Sequence, residues 1–187
     1  MHVGRHGDGV ISDHSSDNAA PMHKLIVMGV AGCGKSTLGA GIATALDCAL
    51  IEGDDHHLPE SKAKMGDGIA LQDSDREPWL DRLGAMMSAH SGDVVLTCSA
   101  LKRRYRDRLR AHVPGLEFVF VDIDEAQASE RVRSRAGHFF ADNLVASQFE
   151  ALESPVGEPG VLSVPATLPL QAQVDAVTRW LLETESP

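Results

Sequence analysis

The sequence predicts an α/β fold of three layers, α/β/α, built on a five-stranded parallel sheet and carrying a helical lid. Three observations predict it. Short apolar runs alternate with helical stretches, a glycine-rich turn joins the first run to the first helix, and an arginine-rich helix followed by an apolar plug stands late in the chain. The first run, Leu25-Ile26-Val27-Met28, has no polar member, as expected of a strand covered on both faces. Ala49-Leu50-Ile51, Val94-Val95-Leu96, Phe118-Val119-Phe120-Val121 and Val161-Leu162-Ser163-Val164 repeat the pattern. Helices are expected over about 34–46, from a first turn at Pro78 to Ala89, and over about 101–112, 125–135, 144–152 and 170–182. The polar segment 52–75 is expected to hold short helices. Strands separated by helices imply right-handed crossovers into a parallel sheet. Ligands of such sheets bind beyond the carboxyl ends of the strands.

One domain suits 187 residues, and no internal repeat marks a second. Residues 1–21 are polar and aperiodic and read as a disordered tail, with its scattered His2, His6 and His14 too irregular for a metal tract. Residues 22–187 form the single domain, with the lid at about 131–145. The net charge of −10 disfavours a general nucleic-acid binder. No window reaches the run of roughly 20 apolar residues that crosses a bilayer, and the N-terminus lacks an apolar secretory core. Cys33, Cys48 and Cys98 make a poor disulfide framework. A cytoplasmic protein, independent of membranes and nucleic acid, is the expectation.

Gly29-Val30-Ala31-Gly32-Cys33-Gly34-Lys35-Ser36 fits G-x-x-x-x-G-K-[ST] in full. Glycines let successive backbone N–H groups point at one anion, and the following helix adds the positive end of its dipole. The motif therefore reads as a P-loop that cradles the phosphates of a nucleotide. Lys35 reaches the β- and γ-phosphates, the Ser36 hydroxyl is a magnesium ligand, and Thr37 hydrogen-bonds a phosphate nearer the base. Cys33 reads as a small filler.

Three further segments bear on the acceptor. Glu52-Gly53-Asp54-Asp55-His56-His57 follows the second strand and sets carboxylates at the sheet's working edge. Asp54 is the candidate to orient an acceptor hydroxyl and take its proton, and Glu52 to hold magnesium through water. A solvated acidic turn is the plain alternative. In Asp73-Ser74-Asp75-Arg76-Glu77-Pro78-Trp79, a cation at a helix start opposes the dipole, which suggests that Arg76 grips a carboxylate; a surface ion pair is the alternative. Trp79 reads as core. Cys98-Ser99-Ala100-Leu101-Lys102-Arg103 follows the third strand and brings Lys102 to the same edge, while Arg104, Arg106, Arg108 and Arg110 read as a solvated face. In the lid, Arg131, Arg133 and Arg135 precede Gly137-His138-Phe139-Phe140. An arginine closing there would neutralise charge on the transferring phosphoryl and exclude water.

Together with Lys64-Met65 and Gln148-Phe149-Glu150, these segments resemble the gluconate kinase family of small P-loop kinases, a group that includes shikimate kinase. The resemblance covers nearly everything from Leu25 to about Val164. The Cys-Ser-Ala-Leu-Lys and Gly-His-Phe-Phe blocks carry more of it than the P-loop, which many families share. It implies ATP, Mg2+ and D-gluconate as reactants, 6-phospho-D-gluconate and ADP as products, and often a homodimer. By that likeness Lys35, Asp54 and Arg131 are catalytic. His57, Lys64, Arg76, Lys102 and His138 join Asp54 around gluconate, and Arg131 and Arg135 serve the lid and the nucleotide. Glu52 stands where relatives are expected to have aspartate, and Asp55 adds charge near the site. The residues favour an acid over a neutral sugar: cations converge on the edge, and asparagine occurs only at Asn18 and Asn143. A kinase for another small acid such as shikimate remains a rival. So does a nucleotide switch, although Asn-Lys-x-Asp, which reads guanine, is absent.

Overall fold

The computed structural model describes residues 22–184 except positions 68 and 137, and the side chains of 135–143 also lie outside the described residues. The expectations for the tail at 1–21, and for the side chains of Arg135 and His138, therefore fall outside them. The five expected strands are all present: β1 (Lys24–Met28), β2 (Ala49–Glu52), β3 (Val94–Thr97), β4 (Glu117–Asp122) and β5 (Val161–Pro165). All four pairings are parallel, in the order β2-β3-β1-β4-β5. The helices are α1 (Lys35–Ala45), α2 (Pro59–Gly66), α3 (Asp73–Ala89), α4 (Arg103–His112), α5 (Glu125–Ala136), α6 (His138–Ala151) and α7 (Leu170–Thr184).

Alternation along β1 builds the three layers. Leu25 and Val27 pack with Leu38 and Ile42 of α1 and with Val174, Val177 and Leu181 of α7. Ile26 and Met28 join Trp79, Leu80, Leu83 and Met87 of α3 and Tyr105 and Leu109 of α4. The side chains of Leu25, Ile26, Val27 and Met28 are all fully buried, which is why that run carries no polar residue. No helix among the described residues is long and apolar enough to cross a membrane.

Two boundaries differ from the sequence expectation. Helix α3 begins at Asp73, so Pro78 is its sixth residue and not part of its first turn. A capping box explains the early start: the Gln72 N–H donates to Asp75 Oδ2 at 2.9 Å, and the Gln72 side chain accepts from the N–H of Asp75. This reciprocal cap offsets the N–H that Pro78 lacks. Helix α6 likewise begins at His138, six residues before the expected Leu144.

Arg106 is the larger correction. It is completely buried, not solvated. Its guanidinium donates to the carbonyls of Ala100 (2.9 Å), Leu101 (3.0 Å) and Glu153 (3.0 Å) and pairs with Glu158. Arg106, joined by Arg110, holds the Glu158 carboxyl below the usual carboxylate range. Arg108 is also engaged, on Asp81. Removing Arg106 takes the donor from three carbonyls and leaves Glu158 with Arg110 as its remaining guanidinium, so Arg106→Ala should lower the unfolding free energy by about 3–5 kcal/mol in urea titration. A loss below about 1 kcal/mol would place this cluster among the energetically neutral ion pairs.

Candidate active site

The central position of β1 makes neighbours of the loops leaving β1, β2 and β3. Register fixes the contact: Thr97 at the end of β3 pairs with Val27 on one side and with Glu52 on the other. The glycine loop, the acidic turn and the Cys98–Lys102 loop thus leave the sheet together. A backbone bond from the Gly29 N–H to the Ser99 carbonyl, 3.3 Å, ties the first loop to the third.

In the glycine loop, Gly32 sits at φ 80, and a Cβ there would lie 2.7 Å from the Ala128 carbonyl oxygen. Both the conformation and the space exclude a side chain. Helix α1 begins after Gly34 with no side-chain cap and no acidic residue in its first turn. Its leading N–H groups are left for a ligand, at the positive end of the dipole. Lys35 Nζ rests on the Val30 carbonyl at 3.0 Å. Burial pushes the Cys33 thiol up against weaker opposing effects of Lys35 and Arg131, consistent with a packed filler rather than a reactive thiolate.

Beside the loop lies a cavity of about 280 Å³ lined by Gly34, Thr37, Leu38, Arg131, Ala166 and Gln173, among others. Arg131 donates to the carbonyls of Cys33 (3.3 Å) and Ala166 (3.0 Å). It therefore stands on the nucleotide side of the loop. Ala166 and Gln173, from the β5–α7 connection, were not anticipated; they come from the far end of the chain and form no local motif.

The Ser36 hydroxyl donates to Glu52 Oε2 at 3.0 Å, and Thr97 Oγ1 donates to the same oxygen. A hydroxyl and a carboxylate side by side at the foot of a phosphate cradle are hard oxygen donors. They fit Mg2+ in the way P-loop enzymes hold it, with few protein ligands and several waters. Thr97 was not expected in this role.

On the acceptor side, Glu52 leads into a 3-10 turn, Gly53–His56. Gly53 is obligatory, because a Cβ would lie 2.3 Å from the Thr97 carbonyl oxygen. The indole N–H of Trp79 donates to the Gly53 carbonyl at 2.9 Å, and the ring stacks on His57 with centroids 4.1 Å apart. Trp79 is thus core, as expected, and it also fixes the acidic turn. His57 Nε2 lies 3.8 Å from Asp54 Oδ1, and its buried Nδ1 has no hydrogen-bond partner. Burial pushes its pKa below the ordinary 6.5, against the opposing pull of Asp54. The Asp54 side chain is 84% exposed and open to an incoming ligand. Burial pushes the Cys98 thiol up to about 12, and the charges of Asp54, Lys35 and Arg76 all act on it more weakly.

A second cavity, of about 450 Å³, is lined by Leu71, Gln72, Asp73, Ser74, Arg76 and Lys102. Arg76 donates to the Leu71 carbonyl at 2.9 Å, and Lys102 pairs with Asp73 at 3.0 Å. Arg104 and the Tyr105 hydroxyl also bond Asp73. Lys64 does not line this cavity; it pairs with Asp75 at 2.6 Å and braces α2 against α3. Asp73, the counter-ion of the expected substrate lysine, was missed because nothing in the sequence links positions 29 residues apart.

A parallel sheet with a phosphate cradle, a carboxylate beside it and a cationic cavity beyond defines a P-loop phosphotransferase. The family model described as AAA domain matches residues 25–159. A gluconokinase of Gluconobacter oxydans (strain 621H) is 40% identical over 158 residues, covering 82% of this chain and 88% of that one. The crystal structure of a gluconokinase from Sinorhizobium meliloti 1021 superposes with a TM-score of 0.79 at 42% identity, covering 88% of this chain and 98% of that one. Shikimate kinase from Aquifex aeolicus vf5 shares the fold, with a TM-score of 0.56 at 15% identity over 86% of this chain and 97% of its own. The chain belongs to the gluconokinase family.

Proposed function

We propose that the protein transfers the γ-phosphoryl group of ATP to D-gluconate, giving 6-phospho-D-gluconate and ADP. The observation that carries this reading is the second cavity, where two cations stand among hydrogen-bonding acceptors. Arg76 and Lys102 suit a carboxylate, and Asp73, Gln72 and Ser74 suit the hydroxyls of a polyol chain. A neutral sugar would offer no anion to Arg76, which rests on a backbone carbonyl and not on a carboxylate. A rigid cyclic acid would make less use of the polar wall.

In this reading Asp54 aligns the terminal hydroxyl with the γ-phosphorus and accepts its proton as the new O–P bond forms and the bond to the ADP oxygen breaks. His57, stacked on Trp79, stands 3.8 Å from the Asp54 carboxylate. Lys35 and the α1 amides neutralise charge on the β- and γ-phosphates. Arg131 holds the nucleotide side of the loop. Mg2+ would be held by Ser36 and, through water, by Glu52, and would supply charge neutralisation of the phosphates. The buried Cys33 and Cys98 thiols and the absence of a disulfide among the described residues support a cytoplasmic setting.

A panel of gluconate, glucose and shikimate, with ADP release coupled to a dehydrogenase, tests the assignment. Gluconate should be turned over in clear preference to the other two. Shikimate turnover without gluconate turnover would replace this reading with the rival. Arg76→Ala should raise the gluconate KM by about 10–100-fold, the loss of one charge-assisted contact, with the ATP KM nearly unchanged. An unaltered gluconate KM would remove Arg76 from the pocket.

A further inference from the structure

Gln148 lies near the end of α6, and its carboxamide oxygen accepts a hydrogen bond from the Ala31 N–H at 2.6 Å. It is the contact of a helix 117 residues away with the phosphate loop itself. That N–H belongs to the loop yet points at protein, not at the anion. The Cys33 N–H also bonds protein, the Val30 carbonyl at 3.4 Å, whereas the start of α1 carries no side-chain cap. Five residues after Gln148, Glu153 engages the other loop. Its N–H donates to the Leu101 carbonyl at 2.9 Å, and its carboxylate accepts from the Arg103 N–H at 2.6 Å. One short stretch at the end of α6 therefore grips the nucleotide loop with Gln148 and the acceptor loop with Glu153.

We infer that Gln148 is a positioning residue for phosphoryl transfer: its carbonyl sets the phosphate loop at Ala31, in register with the acceptor loop held by Glu153. The inference rests on the phosphotransfer reading above. The amide oxygen is the working atom, because it alone can accept from Ala31. The group touches no reacting atom. Losing it shifts the loop by a fraction of an ångström, and a misplacement on that scale reduces rate more than binding.

The test compares Gln148→Ala with Gln148→Glu in the full chain. Gln148→Ala should lower kcat by about 10–100-fold, with the gluconate KM within about threefold and an unchanged melting temperature. Gln148→Glu keeps an acceptor oxygen and should restore kcat to within about threefold, while its added negative charge beside the phosphates raises the ATP KM by about fivefold or more. Wild-type kcat in Gln148→Ala would overturn the inference. So would a rate loss that only follows a lowered folded fraction, or a Gln148→Glu variant as slow as the alanine form. Wild type with gluconate is measured first. Failure at that step strikes only the acceptor assignment, and Gln148 is then judged by the same two variants in gluconate-free ATP hydrolysis.

Discussion

Lys35→Ala is expected to reduce kcat/KM by about 1,000-fold or more while leaving the fold intact. The lysine is the first residue of α1 and the only cation on the glycine loop, and its ammonium already lies against the Val30 carbonyl. During transfer, negative charge moves onto the β–γ bridging oxygen and the equatorial oxygens. A fixed ammonium stabilises that redistribution more than it stabilises bound ATP, so the loss falls mainly on kcat. Removing about 4 kcal/mol of barrier stabilisation corresponds to that factor. Steady-state kinetics beside a melting curve decide it. A variant that keeps more than about a tenth of wild-type kcat would show that the loop amides suffice.

Asp54→Asn is expected to lower kcat by about 100–10,000-fold while ATP binding is preserved. Asparagine keeps the size of the side chain and removes the base. Asp54 is exposed, and the side chain it lies against is His57, outside the phosphate loop. Its removal should therefore leave the nucleotide site alone. Titration with a fluorescent ATP analogue should return the wild-type dissociation constant, and single-turnover experiments should show the chemical step itself slowed. An unchanged chemical step would leave the acidic turn a mere wall of the pocket and transfer the proton to solvent.

Much of the framework was legible because it is governed by local rules. The β1 run must be apolar when both of its faces are covered, and Gly32 and Lys35 answer to the geometry of an anion cradle. What stayed hidden depends on contacts across the sequence. The charge string of α4 looks solvated, yet Arg106 turns inward because three carbonyls and Glu158 meet there. Pro78 looks like a first-turn residue, yet the Gln72–Asp75 cap starts the helix earlier. Asp73 opposite Lys102, Thr97 beside Glu52, and Gln148 against Ala31 are pairings made by topology. Periodicity and motif spacing cannot register them. Within the site, the structure lines the second cavity with both Arg76 and Lys102. It sets Lys64 to one side, on Asp75.

The glycine loop is bound by its own protein before any nucleotide arrives. Gly29 is fastened to Ser99, Ala31 to Gln148, the Val30 carbonyl to Lys35 and the Cys33 carbonyl to Arg131. A segment rich in glycine would otherwise be the most disordered part of the unliganded chain, and freezing it would subtract from affinity. Here that entropy is lost once, at folding, and the incoming triphosphate meets a receptor already preorganised. The free energy of its contacts is then available for the reaction rather than for shaping the receptor.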